Sequence, residues 1–69
     1  MAQRIWSNPQ NPPDSVARRL GITREQLGEA IHIIKNEAGL TPRDRVSIWD
    51  DGSITDETDG WIGNVHDEI

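Results

Sequence analysis

The most chemically suggestive residues in this chain are His32 and Lys35, one turn apart on the same side of a helical stretch, with Gly28 in line before them. Imidazole titrates near pH ~6.5, so His32 can take a proton from a ribose 2′-hydroxyl, and the ammonium beside it can steady the phosphate. His66, the second histidine, would serve as the paired acid if the last strand brought it near. That set is enough for metal-free RNA cleavage. Glycine inside a helix costs about 1 kcal/mol relative to alanine, so Gly28 predicts a close approach by another backbone or a ligand. The plainer alternative is that Gly28 accommodates a bulky neighbour such as Trp61, while His32 makes a local hydrogen bond and Lys35 is solvated.

A different chemistry is offered by Trp6, Trp49 and Trp61, the three aromatic residues of the chain. Strand alternation points Trp49 away from the apolar face of its neighbours, where it could anchor a protein partner. The alternative is that Trp6 and the segment after it fold across that face as a lid.

Charge divides the chain in two. All seven Lys and Arg precede Val46, and seven of the twelve Asp and Glu follow it. Opposite fields on two structural layers suit the steering and orientation of a partner protein. The net charge of −5 disfavours a general nucleic-acid or anionic-membrane binder. Asp50, Asp51, Asp56, Glu57 and Asp59 do not fit a calcium loop: with Gly60 as the loop glycine, Thr55 takes the first ligand position and His66 replaces the bidentate glutamate. They read as turn formers. His66, Asp67 and Glu68 make only a weak metal-like cluster at the end of the chain. No metal and no cofactor are expected. Ala17, Gly21, Ile22 and Leu27 have helix-turn-helix spacing, with Arg24, Gln26 and Glu29 on the reading surface over residues 15–35. The mixed charge of that surface and the lack of a preceding helix disfavour DNA.

These residues need elements to position them. At 69 residues the chain is one domain at most, with a core that rarely supplies more than roughly 3–5 kcal/mol. There is no cysteine to staple it. No apolar run is long enough to span a bilayer, and the first residues are too polar for a signal peptide. Residues 1–13 are expected as an extended proline-rich arm and residues 14–69 as a single α+β domain. Asp14 or Ser15 would cap a short helix carrying Val16, Ala17 and Leu20 inward and stopping at Gly21. Thr23 and Gln26 spell a capping box, with Ile22 placed to staple against Leu27. Leu27, Ala30, Ile31, Ile34 and Ala38 then form one stripe of a long amphipathic helix over 24–38. Gly39 stops it, Leu40 folds back on Ile34, and Pro42 prevents continuation.

After Val46 the pattern becomes β. A three-residue loop with Gly52 left-handed pairs Ile48 with Ile54 and puts Val46, Ile48 and Ile54 on one face; a two-residue turn would not. Thr58-Asp59-Gly60 turns into a third strand over 61–65. The expectation is therefore a short helix and one long helix packed on a three-stranded antiparallel meander.

Leu20-Gly21, Leu27-Gly28, Ile31-His32 with Ile34-Lys35, Gly39-Leu40, Val46, Ile48, Asp51-Gly52, Gly60-Trp61-Ile62-Gly63-Asn64 and Asp67-Glu68 together resemble the C-terminal modules of bacterial polymorphic toxins, the Rhs-type and contact-dependent inhibition tips. The Ile-Gly-Asn step after a glycine turn is the most distinctive part. The resemblance implies a helical layer against an antiparallel sheet, often with ribonuclease activity, neutralised by a dedicated immunity protein. It would carry His32 and Lys35 over as active-site residues. Such nucleases are commonly basic and longer, with four or more strands, and this chain departs from them in charge and size. The expected function is recognition of another protein, an immunity-type inhibitor or a parent assembly, with a metal-independent ribonuclease as the alternative. The expected location is the cytoplasm at synthesis, or delivery as part of a larger system.

Overall fold

The computed structural model describes residues 2–69. Two helices, α1 (Asp14–Arg19) and α2 (Arg24–Glu37), pack on one face of a sheet formed by β1 (Arg4–Asn8), β2 (Val46–Trp49), β3 (Ser53–Thr55) and β4 (Trp61–Asn64). A single 3-10 turn, Val65–Asp67, follows β4. The strands lie in the order β1-β2-β3-β4, every pair antiparallel. The α+β class is as expected, but the sheet has four strands rather than three.

The fourth strand comes from the arm. Arg4–Asn8 zips onto β2, with Trp6 opposite Ile48, Ser7 opposite Ser47 and Asn8 opposite Val46. Pro9 follows directly; with no N–H to donate, it suits the end of an edge strand. An irregularity between Arg4 and Trp6 breaks the two-residue period that would otherwise have announced a strand.

Local chemistry accounts for both helices. Thr23 Oγ1 accepts from the Gln26 backbone N–H at 3.1 Å and Gln26 Oε1 accepts from the Thr23 N–H at 3.0 Å, so the capping box is complete. Both helices end in the same way. Gly21 and Gly39 adopt φ of 75° and 76°, and the residue after each glycine, Ile22 or Leu40, returns its N–H to Ala17 O or Lys35 O. The start of α1 differs from expectation. Pro13 occupies the cap position with no side-chain bond, and Asp14 instead pairs with Arg18 at 2.8 Å.

The core lies between α1, α2 and the sheet. Leu27, Ile34, Ile48, Ile54 and Val65 are its largest fully buried side chains. Ile48 pairs with Ile54 through a turn in which Gly52 has φ of 90°, so the three-residue loop register is the one adopted. Gly63 opposite Ile54 is where α2 presses on the sheet: a Cβ there would lie 3.0–3.3 Å from Ile34 side-chain carbons.

Candidate functional site

Lys35 sits in the last turn of α2 and is buried, 6% exposed, with its Nζ donating to Pro42 O at 3.0 Å. The stop at Gly39 makes this possible, because it brings the chain back until Pro42 reaches the flank of the helix. Burial lowers the Lys35 pKa below its ordinary value, partly offset by the nearby Asp44 carboxylate. The solvated lysine of the plainer alternative is thus excluded.

His32 is exposed and lines two small adjoining clefts with Lys35 and Pro42. One, of about 40 Å³, adds Asn36 and Leu40. The other, of about 50 Å³, adds Asn11, Gly28 and Ile31. Nothing lies within 4 Å of where a Gly28 Cβ would be. Neither Trp61 nor a neighbouring backbone presses on that glycine, so those two sequence expectations fail; the tight contact that demands a glycine occurs at Gly63 instead.

His66 lines neither cleft. Its Nε2 lies 3.1 Å from Leu20 O and its backbone N–H donates to Asn64 Oδ1 at 2.8 Å. A Cβ on Gly52 would fall 2.8 Å from its Nδ1, so the ring closes over the β2–β3 turn. The final strand ends by clasping that turn and the α1–α2 corner, and it does not deliver a second imidazole to His32.

The second place of interest is the sheet face turned away from the helices. Side chains at directly paired positions share a face, so Ser7, Ser47 and Thr55 form a row across it. Ser47 Oγ bonds Ser7 Oγ at 3.2 Å, and the Trp49 Nε1–H donates to Thr55 Oγ1 at 2.9 Å. Trp49 is half-buried, lying along the row. Trp61, paired with Thr55, stands 64% exposed. Trp6 is on the other side. It pairs with Ile48 and packs against the core, its Nε1 buried without a hydrogen-bond partner, so it forms no lid over Trp49.

A third cleft, of about 200 Å³, opens between the loop before β2 and the loop after β3, lined by Leu40, Asp44, Arg45, Asp56, Glu57 and Thr58. Asp56 Oδ1 accepts from Thr58 N, Thr58 Oγ1 and Gly60 N at 2.8–2.9 Å, and these bonds, the Thr58 hydroxyl foremost, hold its pKa below the ordinary value. Asp51 is lowered in the same way by the Ser53 backbone N–H. Both act as turn organisers. Among the described residues no three His, Asp or Glu gather as metal ligands. Sequence reasoning missed this cleft because its walls come from two loops whose approach depends on the sheet order. It also missed Asn11, which lines a cleft with Gly28 because β1 fixes the path of the arm.

In the helix-turn-helix segment, Gln26 Oε1 is committed to the cap of α2. No helix is long and apolar enough to cross a membrane among the described residues. Comparison of the chain with protein-family models, curated proteins and solved structures finds no match.

Proposed function

We propose that this protein is a recognition module that grips a basic segment of another protein on the outer face of its sheet. One observation carries this: Trp61 stands exposed opposite Thr55, whose hydroxyl accepts the Trp49 indole N–H, on a face whose flanking turns hold Asp50, Asp51, Asp56, Glu57 and Asp59, with no lysine or arginine after Arg45 and with Arg4 paired opposite Trp49. Exposed indoles attract guanidinium and ammonium groups through the ring face, by about 0.5–1 kcal/mol each. The surrounding carboxylates add steering and exclude acidic partners. Hydrogen bonds to their carboxylates lower the pKa of Asp51 and Asp56 and so favour the charged forms. If the chain is kin to polymorphic-toxin tips, the partner is an immunity-type inhibitor or the parent assembly.

The test is a titration with an arginine-rich peptide followed by tryptophan fluorescence. Saturable binding that weakens with salt and is lost in Trp61→Ala is expected. Equal binding by Trp61→Ala, or by an acidic peptide of the same length, would refute the proposal.

Metal-independent RNA cleavage has one observation in its favour, the shared cleft of His32 and Lys35. His66 lines neither cleft and its ring meets Leu20 O instead, so this reading lacks the paired acid the sequence suggested. Incubation with total RNA beside a His32→Ala control decides it. Intact RNA, with and without divalent ions, would remove this second activity.

A further inference from the structure

We propose that the clefts beside α2, walled by Asn11, Gly28, His32, Lys35 and Pro42, form a binding site for a single phosphate-sized oxyanion. The site does not depend on the tryptophan face. Lys35 brings an ammonium into a buried position where its one hydrogen bond goes to a neutral carbonyl, Pro42 O. An ammonium has three N–H groups, and burying it without an anionic partner is costly. The one ion pair among the described residues is Arg18–Asp14, so no carboxylate contacts Lys35 directly. Asp44 is the nearest acid acting on it, and its Oδ2 is engaged by the Thr41 N–H at 2.8 Å.

The walls complete the case. His32, Asn11 and Asn36 can all present N–H donors, and neither cleft includes an acidic residue. The carbonyls of the final helical turn would repel an anion, but those of Lys35 and Asn36 are occupied by the Leu40 and Gly39 amides. Gly28 has open space where a side chain would begin, in a helix interior where glycine otherwise only weakens the structure. An empty floor beneath a buried ammonium is what a small anion requires. The two lobes are small, about 40 and 50 Å³, and adjoin at His32, Lys35 and Pro42, a size that suits one head group.

Two sources could present such a group, free phosphate or a terminal phosphate monoester, and NMR titration separates them. Inorganic phosphate and a 3′-phosphorylated dinucleotide are added in parallel while the Lys35 Hε and Gly28 amide resonances are followed, with sodium chloride matching ionic strength. Saturable shifts are expected at both reporters with an affinity on the order of 1 mM or tighter. The tighter of the two ligands identifies the source. Lys35→Gln should abolish saturation. Gly28→Leu, which keeps the ammonium and substitutes a good helix former, should fill the floor and weaken binding at least about tenfold without loss of cooperative unfolding. Shifts that track ionic strength alone, or saturation unchanged in Gly28→Leu, would overturn the proposal.

Discussion

The two faces of the sheet are built to opposite rules. Towards the helices, Val46, Ile48 and Ile54 are 0–2% exposed, and Gly63 is pressed by Ile34. Away from them, a row of hydroxyls is flanked by one half-buried and one exposed tryptophan. The inner face uses its side chains to hold the fold. The outer face buries Ser47 and Thr55 yet leaves the Trp61 indole in water, which a small domain with a thin core does not do for stability. Mutations on the two faces should therefore separate folding from binding.

The largest effect is expected inside. Ile54→Ala should cost about 2–5 kcal/mol, comparable to the whole stability of a domain this small, and leave the protein largely unfolded by circular dichroism. Trp61→Ala should change the urea midpoint by no more than about 0.5 kcal/mol equivalent while abolishing peptide binding. A loss of stability as large as that of Ile54→Ala would erase the contrast between the faces.

The glycines sharpen the same comparison within one helix–sheet layer. Gly63→Ala must displace Ile34 and should destabilise by about 1–3 kcal/mol, whereas Gly28→Ala enters open space and should stabilise α2 by about 0.5–1 kcal/mol. Thermal denaturation gives both signs directly.

Smaller effects come from charge. Lys35 has a lowered pKa in the folded state, so the unfolded chain holds that proton more tightly. Its contribution to stability therefore rises with pH between the lowered folded value and its ordinary 10.5, and Lys35→Met should remove that rise in alkaline denaturant titrations. Asp51 and Asp56 give a slope of the same sign in the acid range: their depressed folded values add stability that is complete above the ordinary 3.8 and lost as pH falls through the folded value. Asp51→Asn and Asp56→Asn should flatten the acid limb of the stability profile.

Much of the inner layer was legible before the structure. Helix caps and strand register are decided by neighbours in sequence: Thr23 and Gln26 satisfy each other's backbone, and a one-residue slip of the Gly52 turn would have moved Ile54 to the wrong face. β1 was not legible, since its strand character depends on meeting β2, and its period is broken before Trp6. The same long-range pairing decided the tryptophans. Spacing placed Trp49 outward, but only register shows that Trp61 joins it and Trp6 does not. Around Lys35, the helical wheel correctly grouped Gly28, His32 and the lysine. The burial of that lysine came from the return of the chain to Pro42, and His66 went elsewhere because the turn after β4 ties it to Leu20.

The three tryptophans themselves provide the most direct test of a two-faced sheet with one recognising face. In a titration with an arginine-rich peptide, the indole N–H resonances of Trp61 and Trp49 should move saturably while that of the core-packed Trp6 stays fixed. Movement of Trp6 equal to that of Trp61, or no movement of any indole, would contradict it.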